Sequence, residues 1–469
     1  MKNRLSRREF LKATSLVSAG AVLAACVPGE PGSGSAGAAA DTASSDAPAA
    51  GRVQIDFMNW WGSHREALMD EVIANFHDMQ DEVEVVNSVQ PWDGRVERAA
   101  TAIASSTPPA LIMTQRVETY KFVNEDLIVP IDDYVAASGI NPDEIFYASE
   151  INNQRWEGKL YSYPLPTGGG ISGQYFWNKQ VYADAGLDPE AAITTWQEME
   201  DAAKAVTVKD DLGLTVNFTT MSPNVNNFVE WLHTNNGRLV NDDNKTIAFN
   251  GPEGVQTLEW MLNFTNEING GVENGSEFYA GTSHTSADHP FYNETAATVF
   301  TGTWFFGHMS ATDPDMWEST DNWGCGLRPY NGDNADATHH GAAGLSGSWG
   351  YVIPKNSPQE LRDAAYKYLE FFGTHKDGGC LFLFNQSRPS AVIECNNNQA
   401  YFDANPAWDV VLDSLASDIS IPVTPAQSEI NDIISSSLEE AFFGVTSAEE
   451  ALNNAAEKSQ AILDEFWAG

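Results

Sequence analysis

Residues 53–89 switch between the two regular hydrophobic periods, and this switch sets the fold class. Residues 53–59 alternate apolar and polar side chains as a half-buried strand does, residues 64–79 carry apolar side chains at helical spacing, and residues 83–89 alternate again. The apolar helix positions are Leu68, Val72, Ile73 and Phe76. A strand, a helix and a strand in this order join parallel strands through a crossover. The segment therefore predicts an α/β fold.

The pattern continues along the chain. We expect a second helix over residues 94–105 and a short buried strand over residues 110–113. Trp196 and Trp260 occupy helical positions typical of a core. Capping-box patterns predict three later helix starts, the second with proline at the first helical position. These patterns are Thr195-x-x-Glu198, Ser357-Pro358-x-Glu360 and Ser447-x-x-Glu450.

The composition of the first 51 residues is typical of an export signal and a linker rather than of a folded domain. Residues 1–25 are basic at the start and then apolar over a stretch too short to span a bilayer, and they contain the twin-arginine pattern Ser6-Arg7-Arg8-Glu9-Phe10-Leu11-Lys12. Leu23-Ala24-Ala25-Cys26 resembles a prokaryotic lipobox, which makes Cys26 the expected lipidation site and first mature residue. Residues 26–51 are rich in Gly, Ala and Ser and predict a flexible tether.

Charge limits the ligands that such a chain can hold. The 469 residues carry 65 acidic and 25 basic side chains, a formal net charge of −40. A nucleic-acid binder needs a basic face, so nucleic acid is not an expected partner, and the composition also disfavours anionic ligands and anionic membrane surfaces. Contact with the membrane is expected through the lipid alone. The acidity is consistent either with a saline habitat or with a surface kept soluble by repulsion.

Cysteine and histidine spacings predict no metal site and no cofactor. Cys380 and Cys395 are the nearest pair that could oxidise outside the cytoplasm, which leaves Cys325 over. The histidine pairs lack the organised carboxylate or cysteine partners that a metal site needs. These pairs are His339 with His340 and His284 with His289.

Several motifs occur in the order found in family 1 extracellular solute-binding proteins of ABC importers, the group that includes maltose- and other sugar-binding proteins. The likeness covers about residues 52–469, with Ala110 standing where the family usually has an acidic residue. The motifs are Asn59-Trp60-Trp61, Val89-Gln90-Pro91-Trp92-Asp93, Ser106-Thr107-Pro108-Pro109-Ala110-Leu111, Gly158-Lys159-Leu160-Tyr161-Ser162-Tyr163-Pro164, Tyr175-Phe176-Trp177-Asn178-Lys179, Ala185-Gly186-Leu187-Asp188-Pro189, Phe300-Thr301-Gly302-Thr303-Trp304 and Gly347-Ser348-Trp349-Gly350.

The resemblance implies a two-lobed, periplasmic-binding-protein-like fold of type II, with hinge-linked lobes and a ligand cleft between them. By analogy, residues 52–172 and 337–388 form lobe 1, and residues 173–336 and 389–469 form lobe 2. It also implies a monomer that captures a small-molecule solute by hinge closure. A carbohydrate, either a mono- or an oligosaccharide, is the favoured solute, and a polyol or a cationic solute is the alternative. The solute would pass to the transmembrane subunits of an ABC permease powered by a cytoplasmic ATPase. The expected location is extracytoplasmic, at the cell surface or in the periplasm.

Aromatic residues at the family's cleft-facing motifs are the first candidate ligand contacts, because a sugar packs its C–H face on an aromatic ring. The alternative for each is a place in the core, which is the favoured interpretation for Trp231. The candidates are Trp60, Trp61, Trp92, Trp231, Trp304 and Trp349.

Polar candidates would satisfy the hydroxyl rim of a sugar. They are Asp93, Gln115, Ser348 and Arg388. Arg388 resembles a family position near the hinge, and its guanidinium fork can take two hydroxyls or a carboxylate. A structural ion pair is the alternative for Arg388.

Two other functions fit parts of the sequence. A secreted glycoside hydrolase also combines tryptophans with carboxylates, but so acidic a chain supplies carboxylate pairs by chance. Gly344-Leu345-Ser346-Gly347-Ser348 fails the nucleophile-elbow pattern at its last position. A passive surface lipoprotein would need no cleft. The sequence favours a binding protein without enzymatic activity.

Overall fold

The computed structural model describes residues 51–62, 64–165, 173–283, 286–337, 348–417, 423–424 and 426–468. All of them belong to one compact unit, Pro48–Gly469. The predicted signal segment, Cys26 and most of the tether lie outside the described residues. In the part of the chain that is described, no helix is long and apolar enough to cross a membrane.

Two main sheets organise the strands. The first has the order β11-β3-β1-β2, in which β1 is parallel to β2 and β3, and β11 is antiparallel to β3. The second has the order β10-β6-β9, with both outer strands antiparallel to β6. Two further strand pairs, β4-β5 and β7-β8, are antiparallel hairpins. The strands are β1 Val53–Asn59, β2 Val83–Val89, β3 Leu111–Gln115, β4 Arg155–Trp156, β5 Lys159–Leu160, β6 Gln174–Asn178, β7 Val208–Asp210, β8 Gly213–Val216, β9 Thr298–Thr301, β10 Trp323–Leu327 and β11 Trp349–Val352.

Helices connect and cover both sheets, with short π-helical turns at Phe264–Asn269 and Lys376–Cys380. The α-helices are α1 His64–Met79, α2 Arg95–Ile103, α3 Arg116–Asn124, α4 Asp132–Ser138, α5 Pro142–Ile145, α6 Ala148–Asn152, α7 Lys179–Asp184, α8 Trp196–Val206, α9 Val225–His233, α10 Pro252–Asn263, α11 Val272–Phe278, α12 Trp304–Thr312, α13 Pro314–Glu318, α14 Gln359–Thr374, α15 Leu381–Phe384, α16 Ile393–Asn396, α17 Gln399–Ala404, α18 Trp408–Ser417, α19 Gln427–Phe442 and α20 Ala448–Ala468.

We call the first sheet with its helices the first lobe. Helix α1 packs on β2 and α14 packs on β1. Phe57 of β1 is fully buried, with its ring centroid 4.8 Å from that of Tyr351 and 5.5 Å from that of Tyr368. Burying a side chain of this size contributes about 1.5–3 kcal/mol. The predicted strand, helix and parallel strand at residues 53–89 are confirmed, and α14 from late in the sequence closes their core.

We call the second sheet with its helices the second lobe. Helix α18 packs on β10 and β6, while α19 and α20 pack on each other and against α9 and α10. Trp196 stacks on Trp260 with their centroids 4.0 Å apart. Both rings are buried, so their predicted place in the core is confirmed.

Two of the three predicted helix starts are confirmed and one is shifted. The Thr195 side chain accepts a hydrogen bond from the Glu198 amide, and the Ser447 hydroxyl accepts one from the Glu450 amide at 3.2 Å. The prediction that Pro358 is the first helical residue is wrong. Pro358 has an extended ψ of 148° and precedes α14, and the buried Ser357 hydroxyl has no hydrogen-bond partner among the described residues. The extended proline turns the serine away from the first helical amides.

Candidate functional site

The carboxyl ends of β1 and β3 lie at the same edge of the first sheet, because the two strands are parallel. β1 runs into Trp60 and Trp61, and β3 ends at Gln115. β11 begins at Trp349, which pairs with Gln115 across the antiparallel ladder. The topology therefore gathers several of the predicted site residues at one edge.

Four of these residues form what we call the tryptophan cluster: Trp60, Trp61, Trp92 and Trp349. The Trp349 centroid lies 5.7 Å from that of Trp61 and 5.6 Å from that of Trp92. The indole N–H of Trp60 donates to the Met113 carbonyl at 2.8 Å. Trp60 and Trp61 are buried, and the Trp61 ring stacks on that of Phe382 with 5.4 Å between their centroids.

Trp92 differs from the other three members because its side chain is 45% exposed, whereas Trp349 is 9% exposed. An exposed indole that rests on buried indoles is held in place without being covered. Within the cluster, Trp92 therefore presents the largest free aromatic surface for a ligand.

Arg95 is a functional candidate that the sequence analysis missed. Its guanidinium carbon lies 4.5 Å from the Trp92 ring centroid and 5.8 Å from that of Trp349. The same side chain donates a hydrogen bond to the Gln115 amide oxygen and forms a 2.9 Å ion pair with Glu118. Two features of the sequence point to Arg95. It follows the Trp92-Asp93-Gly94 turn, which carries two candidate ligand contacts, and basic residues are scarce in this chain.

Glu118 is the acid that holds Arg95 in place. Burial raises the pKa of the Glu118 carboxyl, and the charge of Arg95 and a hydrogen bond from the Gln115 amide oppose that rise. The carboxylate is therefore engaged by two groups, and it fixes Arg95 and Gln115 together at the edge of the sheet.

A cleft of about 790 Å³ opens beside this arrangement and is lined from both lobes. The first lobe contributes residues of α2 and α3 together with Gln115. The second lobe contributes residues of α9, α19 and α20. Its lining includes Arg95, Gln115, Glu118, Asn226, Glu429 and Phe466. A cleft with walls from two lobes can hold a solute and can narrow around it.

The two predicted tryptophans of the second lobe occupy different environments. Trp304 is partly buried and begins α12, which starts after a two-residue connection from the end of β9. Trp231 is 1% exposed and packs against Trp260 and Phe300, with the Arg328 guanidinium carbon 4.8 Å from its ring centroid. The ring of Trp231 is therefore part of the core in this conformation.

Ser348 and Asp93 also differ in burial and in their existing hydrogen bonds, and so in whether their side chains can contact a ligand. Ser348 is fully buried with a φ of 67°, and its hydroxyl accepts a 2.6 Å hydrogen bond from the Gln154 amide. Asp93 is exposed, and Arg98 contacts its backbone carbonyl rather than its carboxylate. Asp93 can therefore meet a ligand directly, whereas Ser348 is committed to a contact within the protein.

Arg388 lies in the turn that follows α15, where its amide donates to the Leu383 carbonyl at 3.0 Å. Burial and, to a smaller extent, the charge of Arg65 together lower the pKa of its guanidinium to about 10. The structural ion pair considered for Arg388 is not formed with any described residue. A disulfide between Cys380 and Cys395 encloses this turn, with 5.9 Å between their Cα atoms.

Among the described residues, no group of histidine, cysteine and acidic side chains has the arrangement of a metal site. The His289 ring nitrogen Nδ1 accepts a 3.2 Å hydrogen bond from the Phe291 amide. His284, His339 and His340 lie outside the described residues. Cys325 is a buried thiol whose pKa is raised by burial.

Comparison with known proteins gives one family and one fold. The family model for bacterial extracellular solute-binding proteins matches residues 61–378. The sn-glycerol-3-phosphate-binding periplasmic protein UgpB of Escherichia coli K12 is 22% identical over 420 residues, which cover 85% of this chain and 90% of the relative. UgpB of Salmonella typhimurium LT2 is similar to the same extent.

Solved structures with the same fold come from other bacteria. The ABC substrate-binding protein Lmo0181 of Listeria monocytogenes, in complex with cycloalternan, has a TM-score of 0.71 and 19% identity, and the match covers 88% of this chain and 99% of that one. The cyclic alpha-maltosyl-1,6-maltose binding protein of Arthrobacter globiformis has a TM-score of 0.71 and 18% identity, with 88% and 100% covered.

Proposed function

Because the chain belongs to the bacterial extracellular solute-binding proteins, we propose that it captures a solute in the cleft between its lobes and delivers it to an ABC permease. The observation that carries this proposal is the cleft of about 790 Å³ that is lined from both lobes and includes Arg95 and Gln115. The permease subunits would be powered by a cytoplasmic ATPase. The chain performs no covalent chemistry on the solute.

The solute that fits this site is a carbohydrate. The half-exposed Trp92 offers an aromatic face for sugar C–H groups, and Arg95 and Gln115 beside it can bond hydroxyls. The names of two structural neighbours, a complex with cycloalternan and a cyclic alpha-maltosyl-1,6-maltose binding protein, also support a carbohydrate as the solute. The name of UgpB, a glycerol phosphate-binding protein, extends the range of solutes to test.

The proposed contacts are Trp92, Asp93, Gln115, Trp304 and Arg388, with Arg95 added from the structure. Trp60, Trp61 and Trp349 remain part of the proposed set, and Trp349 packs against the ring of Trp92. Ser348 and Trp231 complete the predicted set, and they would act through Gln154 and Arg328, which they contact.

We further propose that the lobes divide as the family resemblance implies. Residues 52–172 and 337–388 would form lobe 1, and residues 173–336 and 389–469 lobe 2. The strands of the two main sheets are distributed in the same way. The hinge would then lie near residues 172, 337 and 388.

The proposal that the chain is exported and anchored to the membrane depends only on its N-terminal residues. The twin-arginine segment would direct the folded chain outward, and a lipid on Cys26 would anchor it through the tether of residues 26–51. The domain would then work as an extracytoplasmic monomer at the cell surface or in the periplasm.

A thermal-shift screen of the full chain tests this function, because a ligand that binds only the folded state raises the melting temperature. The panel would contain linear and cyclic oligosaccharides, monosaccharides, polyols, sn-glycerol 3-phosphate, amino acids and polyamines. We expect a carbohydrate to raise the melting temperature and to be recovered chemically unchanged. Cleavage of the sugar would overturn the proposal in favour of a hydrolase, and a shift confined to amino acids or polyamines would overturn the carbohydrate assignment.

A further inference from the structure

A second cavity, of about 480 Å³, is formed by residues 219–300 and shares no lining residue with the cleft. Its walls come from the connection after β8, the first turn of α9, the segment from α11 to residue 283, and β9. We call it the hydroxyl pocket, because its lining includes Thr220, Ser222, Ser276 and Tyr279. Its volume lies within the range of about 300–1,000 Å³ that is typical of small-molecule sites.

The hydroxyl groups of these four residues are not used by the protein itself. None of the four side chains forms a hydrogen bond with any residue that the structure describes. Burial raises the pKa of the Tyr279 phenol, so this group stays protonated and can donate a hydrogen bond. Hydroxyl groups that line a cavity without protein partners are hydrogen-bonded by water or by a ligand.

The backbone behind these hydroxyl groups is held in place by the pocket's other residues. The Thr298 hydroxyl donates a 2.7 Å hydrogen bond to the Phe218 carbonyl, which ties β9 to the chain after β8. The side-chain oxygen of Asn227 accepts a 3.0 Å hydrogen bond from the Ser222 amide. The ring of Phe300 stacks on a neighbouring strand, with its centroid 5.2 Å from that of Tyr175. The pocket is therefore formed in advance, which lowers the entropy cost of binding.

The hydroxyl pocket is uncharged in the part of its lining that the structure describes. Apart from His289, none of these lining residues is acidic or basic, although the chain has 65 acidic and 25 basic residues. The Nδ1 atom of His289 accepts a hydrogen bond from the Phe291 amide, which requires an unprotonated nitrogen, so the imidazole is neutral. A charged ligand group would lose its hydration here without gaining an opposite charge, so the pocket favours a neutral ligand.

The hydroxyl pocket and the cleft border the same turn of helix. Asn226 lines the cleft, and the next residue, Asn227, lines the hydroxyl pocket. Consecutive Cα atoms are about 3.8 Å apart, so the first turn of α9 adjoins both cavities. A solute with more than one sugar unit is therefore able to engage the two cavities together.

We propose that the hydroxyl pocket binds a neutral sugar unit of an oligosaccharide whose other units lie in the cleft. This inference rests on the proposed function, and it selects an oligosaccharide over a monosaccharide as the solute. The rings of Tyr279 and Phe300 supply apolar surface for the C–H groups of the sugar unit. The hydroxyl groups of Thr220, Ser222 and Ser276 can satisfy its polar rim.

Titration calorimetry on the full chain tests the proposal through the effect of sugar length. The probes are glucose with maltotriose, mannose with mannotriose, and galactose with β-1,6-galactobiose. We expect one oligosaccharide to bind the wild type at least about 10-fold more tightly than its monosaccharide, the gain from about two additional hydrogen bonds. We expect a stoichiometry of one oligosaccharide for each chain.

Three variants locate this gain. Ser276→Phe should abolish the advantage of the oligosaccharide and keep the monosaccharide affinity, because Ser276 is exposed and a larger side chain there can fill the pocket without displacing the core. Tyr279→Phe and Thr220→Val should each weaken oligosaccharide binding about 2- to 10-fold, the range for one lost hydrogen bond. Tyr134→Phe is the matched control, because its phenol donates to Asp363 in the first lobe. The melting temperature without sugar shows that each variant is folded.

The outcomes separate this inference from the proposed function. Oligosaccharides that bind the wild type no more tightly than their monosaccharides, or not at all, would overturn the inference. An advantage that survives both Ser276→Phe and Tyr279→Phe would do the same, as would two monosaccharides bound to each chain. All of these results leave the solute-binding function intact if any solute of the thermal-shift screen binds. If no solute of any kind bound the wild type, the proposed function would fail as well.

Discussion

Trp92 shows how one residue can combine exposure with order. Its ring is held by Trp349 below and by Arg95 beside it, yet 45% of the side chain is open to solvent. Aromatic side chains lose little rotational freedom on binding, and a ring already held by neighbours loses less. The contact surface for a sugar is therefore formed before the sugar arrives.

Replacing Trp92 by alanine should weaken solute binding without unfolding the protein. We expect an affinity loss of more than 1 kcal/mol, typical of an aromatic anchor, and a change in unfolding free energy within about 1 kcal/mol. Titration calorimetry with a solute from the thermal-shift screen, and urea unfolding, would measure the two. Phe443→Ala, which removes an aromatic ring that is 59% exposed, is the control. Equal affinity in both variants would show that Trp92 does not contact the solute.

Individual positions were easier to infer than their surroundings. The strand-end location of Trp60 and Trp61 followed from alternation in the sequence, and that of Gln115 followed from the apolar run of residues 110–113. Burial of the Trp61 ring did not follow, since that ring packs on Trp349 and Phe382 from distant parts of the chain. Arg95 was missed although it follows the Trp92-Asp93-Gly94 turn, because its partners Gln115, Glu118 and Trp349 lie outside that turn.

At the scale of elements, the local sequence pattern was sufficient to predict the limits of a single helix or strand. The predicted limits of residues 64–79 and 83–89 agree with α1 and β2. The three-strand second sheet was not predicted, because its strands β6, β9 and β10 are separated by long segments whose pairing has no local signature. The shifted start of α14 depends on the backbone angle of one proline.

The contact between α1 and β2 contains a histidine that should make stability depend on pH. The ring nitrogen Nε2 of His77, in the last turn of α1, accepts a 2.9 Å hydrogen bond from the Val85 amide, so the imidazole must be neutral there. Burial lowers the His77 pKa first and Arg52 lowers it further, while Glu84 and Asp78 oppose the shift.

Between the unfolded pKa of 6.5 and the lower folded pKa, the unfolded chain binds a proton that the folded chain does not. The stabilising contribution of neutral His77 to the free energy of unfolding is therefore fully present above pH 6.5, and it is lost as the pH falls toward the folded pKa. We expect the unfolding free energy of the wild type to fall relative to His77→Gln between pH 7.5 and pH 5.5, because a glutamine oxygen can accept the same hydrogen bond without titrating. Glu118 and Glu230, whose pKa values are raised, change stability equally in both proteins, so the difference isolates His77. Parallel curves would contradict this assignment.

At the scale of the whole molecule, the sequence resemblance predicted two lobes and a cleft, but the geometry of the cleft depends on very long separations in sequence. The cleft wall joins Arg95 and Gln115 to Glu429 and other residues of α19 and α20. Such contacts arise from packing of whole layers, so no local pattern encodes them.

Solute binding should bring the lobes closer together, because groups on both walls of the cleft would engage one ligand and so favour the closed form. We expect the radius of gyration measured by small-angle X-ray scattering to decrease when the full chain is saturated with a solute from the thermal-shift screen. The measurement belongs at about 0.15 M salt, where the Debye length is about 8 Å and repulsion between the acidic molecules is screened. Trp304→Ala should need a higher solute concentration for the same decrease, because Trp304 contributes from the second lobe, whereas Phe443→Ala should behave as the wild type. An unchanged radius at saturation would mean that the solute binds without closure, and the hinge mechanism would have to be abandoned.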